Sequence, residues 1–296
     1  MVDFKRIMSN KKIQISVSKL NQYQQYLLKT EMPAKNEDGT TYRDENGKVK
    51  MTVLFPDLET LFSSWLEKSQ ASQAMAVGTA VHLFIETGGE CNVGQYGAWH
   101  GFQAPHDQGF DIFIPDYQLT EVKQFVEATK HAREAEVTVV PWEFEIDGFQ
   151  VVISGKIDGK LNGGQLLEDH KVSTSKWNPA KDWDGGKSPN EKLFAKFDET
   201  VQHDFYMCMA GAEKFAYNQF WFRPANRGEL WSPTTEGCFI LAGQAMFERK
   251  PALVPTMKEY FEAVMHDLIQ TGFADKLAKK QAFWIEKRWP EKTWKV

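Results

Sequence analysis

Apolar and polar positions follow a helical period over the first part of the chain and a strand period near its middle. Ser16 and Ser18 precede KLNQYQQYLL, whose spacing predicts a capped amphipathic helix. The next stretch carries TTYRDENGKVKMTV, two extended runs around Asn46-Gly47, which predicts a β-hairpin insertion at 31–56. From Asp57 the helical period returns in LETLFSSWLEKS and again in AMAVGTAVHLFIE. A loop is expected over 88–109. A further helix is expected over 118–135, with Val122, Phe125, Val126 and Ala132 on its apolar face.

Residues 137–172 then switch to strand character in three runs, VTVVPWEFEI, FQVVISGKIDGKL and QLLEDHKVS. Asp147-Gly148 and Asn162-Gly163 separate them as two-residue hairpin turns, so the expected unit is an antiparallel meander. The polar segment 174–197 reads as a mobile loop. Asp198-Glu199-Thr200 is expected to open a helix running through QHDFYMCMAGAEKFAY, with acids in its first turn. Strands NQFWFR and GCFILA and one or two helices from about Pro255 complete the chain. No internal repeat is present. The expected class is α/β or α+β, a central mixed sheet flanked by helices in a single domain over 1–296.

Composition narrows the class without deciding the chemistry. With 42% hydrophobic and 25% charged residues, the 296-residue chain is an ordinary globular protein. It has no apolar run of membrane-spanning length, and its opening residues lack the apolar core of a secretory signal. Cys91, Cys208 and Cys238 form no pairable framework, so a reduced cytoplasmic setting is expected. A net charge of −5 argues against a non-specific DNA coat protein, while leaving room for a local basic surface around an acidic site.

The meander concentrates the candidate chemistry. Asp169 and Lys171 are two apart in one strand, so they share a face and His170 points away. Asp158, on the partner strand, lies opposite the Leu167–Asp169 region. Two carboxylates and an ammonium on one surface are costly unless the acids are neutralised, and a hard oxygen-rich site suits Mg²⁺ or Mn²⁺. The structural alternative is a turn-starting Asp158 and a surface Asp169/Lys171 ion pair. Gly78 and His82 share a helix face; the missing Cβ of Gly78 allows close packing that brings His82 to the sheet as a metal ligand, with Glu86 orienting it. A half-buried structural histidine is the alternative. Gln202 and Tyr206 also share a helix face, which by itself is only a polar margin. Glu143 and Glu145 could join the acids, and a solvated strand face is the plainer account.

Gly78/His82, the Gly155–Asp158 strand, Asp169/Lys171 and Gln202/Tyr206 occur in that order at plausible spacings, after an ISVSKLNQY opening. Together, over about Ile15 to Tyr217, they resemble the PD-(D/E)XK nuclease superfamily in its RecB-like exonuclease branch, with phage recombination and CRISPR-adaptation nucleases. The resemblance implies a restriction-endonuclease-like core and a Mg²⁺- or Mn²⁺-dependent exonuclease acting on DNA with a free end, in phage or bacterial recombination and with a recombination partner protein. It further implies His82, Asp158, Asp169 and the His170 carbonyl as metal ligands and Lys171 as the catalytic lysine, with Gln202 and Tyr206 holding that lysine or the DNA backbone. Glu168 beside Asp169 is a departure, and strand parity with Lys171 favours Asp169. Some relatives carry a four-cysteine iron–sulfur cluster; three distant cysteines predict none here. A structure-selective or restriction-type endonuclease and a catalytically idle DNA- or protein-binding member are the alternatives. No H-E-x-x-H or paired Cys/His spacing supports a zinc hydrolase.

Lys176, Lys181, Lys187, Lys192 and Lys196, with Trp177 and Trp183, could guide DNA along the 174–197 loop by charge and stacking. In the C-terminal run Trp284 reads as core and Trp294 as a contact for DNA or a partner, with packing the plainer account of both.

Overall fold

The computed structural model describes residues 11–34, 36, 41–67, 72–89, 93–96, 98–104, 112–129, 131–175, 178 and 187–288. Cys91, Lys176, Lys181, Trp177, Trp183 and Trp294 lie outside them, as does the side chain of Trp284.

In chain order, β1 (Lys11–Ser16) runs into α1 (Val17–Leu27), a short pair β2 (Glu31–Pro33) and β3 (Met51–Val53), and helices α2 (Leu58–Leu66) and α3 (Gln73–Glu86). A small sheet of β4 (Val93–Tyr96), β5 (Trp99–Gln103) and β6 (Phe113–Pro115) leads to α4 (Thr120–Thr129). Then come β7 (Arg133–Thr138), β8 (Trp142–Ile146), β9 (Phe149–Ser154), β10 (Lys156–Leu161) and β11 (Leu166–Ser173). The remainder is α5 (Pro189–Asp198), α6 (Gln202–Ala210), β12 (Lys214–Pro224), β13 (Gly237–Glu248), α7 (Leu253–Gln270) and α8 (Phe273–Arg288).

The class is mixed α/β. Five strands form the main sheet in the order β13-β12-β11-β10-β7, with β11 and β12 parallel and the other pairs antiparallel. One face packs on α1, α2, α6, α7 and α8 through Leu167, Phe215 and Tyr217. The other packs on α3, α4 and the small sheet through Phe220 and Phe222, with Val172 at its margin. Because both faces are covered, β12 is buried along most of its length, as a central strand must be.

The expected meander is divided between two sheets. β8 and β9 form a hairpin closed by Asp147-Gly148, both with positive φ (48° and 79°), the primed geometry that matches strand twist. They join β1 in a separate sheet, while β7 and β10 continue the same two chain segments into the main sheet. The junction is Gly155, which belongs to neither strand and whose carbonyl accepts the Val139 N–H at 3.2 Å.

Four other expectations change. The helix foreseen over 118–135 ends at Thr129, and Arg133–Thr138 pairs with β10 instead. Part of the 88–109 loop is strand. Pro189–Asp198 within the expected loop is a helix, started by a Ser188/Glu191 capping box with proline at its first position. The helix foreseen through Tyr217 stops at Ala210, where Gly211 takes the left-handed cap conformation (φ 68°), and the apolar run beyond it is β12. Among the described residues no helix is long and apolar enough to cross a membrane.

Candidate active site

The candidate residues gather where β10 and β11 part. The two strands pair from Leu161↔Leu166 to Gly159↔Glu168, and the next two residues are Asp158 and Asp169. Four residues, Asn162 to Gln165, make the turn, so it is two longer than expected; Asn162, Gly163 and Gly164 all have positive φ. At the fork the Asp158 side chain takes over the pairing role of the backbone: its Oδ2 accepts the His170 N–H at 2.6 Å.

Alternation along β11 sorts its side chains. Asp169 and Lys171 share a face, with Lys171 Nζ 2.5 Å from Asp169 Oδ2 and 5.8 Å from the centre of the Tyr217 ring. Glu168 and His170 enter the opposite side. Glu168 is held by Arg133 (Nη2 at 2.7 Å, Nε at 3.0 Å) and by Asn218 Nδ2 at 3.1 Å. It is therefore committed to a buried network away from Asp169. His170 stands among Phe125, Phe220 and His82, with Nδ1 3.3 Å from Asn218 Nδ2.

Helix α3 carries His82 to the fork, where Nδ1 lies 3.6 Å from Asp158 Oδ1. A Cβ at Gly78 would meet Val172 Cβ at 3.9 Å, an ordinary contact, so close packing there does not require glycine. Glu86 lies one turn on and feels the charge of His82, while the imidazole faces Asp158 instead. From α6, Tyr206 stacks on Phe215 (6.0 Å, 6°), with Gln202 one turn before it. Its ring reaches Gly155, the first residue of the Gly-x-Ile-Asp segment. Glu143 and Glu145 are exposed on β8 in the other sheet and are not brought to the fork.

Burial sets the electrostatics. It raises the Asp169 carboxyl above its usual range, against the pull of Lys171. Burial also opposes ionisation of Asp158, but the hydrogen bond and charge of His82, with the His170 N–H, hold its carboxyl below the usual range. The imidazolium of His82 is disfavoured by burial and still raised, because Asp158 faces it. Desolvation pushes His170 down to about 3, so its ring is neutral, and it raises the Tyr206 phenol above the ordinary tyrosine value.

In front of β11 lies a cleft of about 710 Å³, lined among others by Thr79, His82, His170, Lys171, Lys196 and Gln219. Gln219 donates through Nε2 to the carbonyls of Lys171 and Phe220, both at 3.0 Å, bridging a bulge between Gln219 and Phe220 beside the lysine. Neither Gln219 nor the Arg133–Glu168–Asn218 network was foreseen, and Lys196 was read only as one of several loop lysines.

Among the described residues no three His, Cys, Asp or Glu side chains come together as a metal-holding group. The donor chemistry nonetheless fits a divalent ion. Asp169 Oδ2 is buried and, apart from the charge of Lys171, has no hydrogen-bond partner. The charge of Asp158 raises the cost of ionising Asp169, and the His82 imidazole stands beside Asp158.

No protein-family model and no curated protein matches the chain in sequence. Among solved structures it is similar to SSO0001, at 16% identity and a TM-score of 0.25, over 49% of this chain and 57% of that one. It is similar to the alkaline exonuclease LHK-Exo from Laribacter hongkongensis, at 11% identity, covering 92% of this chain and 94% of that one, with a TM-score of 0.33. It is also similar to a phage-related exonuclease from Haemophilus somnus 129PT, at 14% identity, covering 92% of this chain and 95% of that one, with a TM-score of 0.37.

Proposed function

We propose that this chain is a metal-dependent DNA nuclease of the PD-(D/E)XK superfamily, in its RecB-like branch, which hydrolyses phosphodiester bonds from DNA ends. The observation that carries the reading is the fork between β10 and β11, where Asp158, Asp169, Lys171 and His82 meet from two strands and a helix. His82, Asp158, Asp169 and the His170 carbonyl are the residues that would hold Mg²⁺ or Mn²⁺. When bound, the ion supplies Lewis acidity toward the phosphate.

The chain's own groups have distinct tasks. Lys171, half-exposed at the cleft, offers an ammonium to the scissile phosphate or to the attacking water. His170 keeps its ring on the far side of β11, which leaves its backbone free to hold Asp158 through the N–H. Tyr206, held by the stack on Phe215, stands behind the two acids and with Gln202 steadies the lysine or the DNA strand. Action in phage or bacterial recombination, with a partner protein in the cytoplasm, belongs to the same proposal.

The test is digestion of end-labelled linear duplex and covalently closed circles, each with and without Mg²⁺ or Mn²⁺. Loss of label from linear DNA alone, only with metal, is the expected result. Equal cutting of circles would replace the exonuclease by an endonuclease. No cleavage together with a silent metal titration would identify an idle member of the fold.

A further inference from the structure

Two lysines reach the cleft from different elements, Lys171 from β11 and Lys196 from the last turn of α5. Burial, and after it the charge of Lys171, hold the Lys196 ammonium below the ordinary lysine range. Lys171 is answered by Asp169. Lys196 makes no ion pair among the described residues; its Nζ lies 5.0 Å over the Phe197 ring. Both acids of the fork are already engaged, Asp158 by His82 and the His170 N–H and Asp169 by Lys171. Lys196 is exposed at the cleft, so an entering anion meets an ammonium that no acid among the described residues answers.

The helix that carries Lys196 is anchored. Ser188 and Glu191 cap its start, and Asn190 Oδ1 accepts the Gln244 N–H from β13 at 2.9 Å. Leu193 packs so closely on that strand that a Cβ at Gly243 would come within 2.8 Å of Leu193 Cδ1. The ammonium therefore projects from a fixed support, as a binding group requires.

We propose that Lys196 binds a non-bridging oxygen of a second DNA phosphate, distinct from the scissile one served by Lys171. The inference rests on the nuclease reading and adds a contact to it. A cleft of about 710 Å³ has room for more than a single small anion. A lysine suits the task because a point charge grips phosphate without reading sequence.

The experiment is the salt dependence of DNA binding by the full chain in Ca²⁺, with a fluorescent end-labelled duplex as probe. Lys196→Met weakens binding several-fold and flattens the plot of log affinity against log salt by about one unit, the signature of one lost phosphate contact. Lys196→Arg keeps the wild-type slope. A cation that serves only the C-terminal end of α5 would change the melting temperature and leave the slope alone. An unchanged slope in Lys196→Met overturns the proposal, and so does a wild-type chain that does not bind the duplex. Cleavage separates the two readings. A chain that binds with a Lys196-dependent slope but never cuts keeps this contact and loses the nuclease assignment. A chain that cuts with an unchanged slope does the reverse.

Discussion

A Cβ on Gly155 would lie 2.5 Å from Cε1 of Tyr206 and 2.9 Å from its hydroxyl. The absence of a side chain at the strand junction is therefore what lets the tyrosine reach the fork. Tyr206 is buried and stacked on Phe215, so the ring cannot step aside without cost. Gly155→Ala is expected to destabilise the chain by about 1–3 kcal/mol, the range for overpacking, and to lower cleavage by displacing the ring. A double-mutant cycle with Tyr206→Ala checks it. The alanine should cost much less once the ring is gone; equal costs in both backgrounds would disconnect the two residues.

Asp169 and Lys171 are expected to separate activity from stability. Asp169→Asn and Lys171→Met should each lower cleavage at least about 100-fold, as removal of groups acting on the transition state does. Their stabilities should diverge in metal-free buffer. Asp169→Asn removes a buried carboxyl whose ionisation burial opposes, so its melting temperature should equal or exceed that of wild type. Lys171→Met leaves that acid without its cation and should cost about 1–3 kcal/mol. Thermal melts decide it, and a strongly destabilised Asp169→Asn would contradict the account.

Period-based reading reached the fork because its key spacings are local. Asp169 and Lys171 lie on one strand, and the pairs Gly78/His82 and Gln202/Tyr206 each lie on one helix, so periods of two and 3.6 place them without knowledge of the fold. Glu168 could not be assigned that way. Its partners Arg133 and Asn218 are 35 and 50 residues distant, and the parallel pairing that brings β12 alongside β11 leaves no local trace. The run FAYNQFWFR was misread in part because a strand buried on both faces is continuously apolar and does not alternate. Helix α5 had a visible signal, Ser188-Pro189-Asn190-Glu191, hidden by the polar stretch around it. Gly155 was legible as a motif residue, but the ring that requires it comes from α6.

The Arg133–Glu168 pair is almost fully buried, with both side chains 4% exposed. Arg133 Nη1 has no hydrogen-bond partner, so the network is not fully satisfied. Breaking it from one side should be severe. Arg133→Met leaves the carboxylate alone and is expected to cost about 3–5 kcal/mol, while Arg133→Met/Glu168→Met should recover most of the loss. Urea unfolding of the three proteins measures this. A single variant as stable as wild type would show that the pair contributes nothing to holding β7 and β11.

His203 and Asp204, with Nε2 and Oδ1 3.5 Å apart on α6, are expected to oppose each other in the pH dependence of stability. Burial moves both from their ordinary values, His203 down to about 4 and Asp204 up to about 6. For Asp204 the native carboxyl binds its proton more tightly than the unfolded one. Its contribution is complete below the unfolded value near 3.8 and is lost as pH rises through about 6. For His203 the unfolded ring binds the proton more tightly, so its contribution is present above the unfolded value of 6.5 and is lost as pH falls through about 4. The two contributions oppose each other in wild type across that window, on top of the slope set by other groups such as His170. Asp204→Asn should leave the histidine unopposed, so stability should climb more steeply than in wild type as pH rises from about 4 to 6. His203→Gln should leave the acid unopposed, so stability should lose ground relative to wild type as pH rises from about 4 to 6.5. Each difference from wild type should be on the order of 1–2 kcal/mol across the window, after allowing for solvent screening. Denaturant unfolding at several pH values reads the slopes directly, and changes of the same sign relative to wild type in the two variants would contradict the assignment.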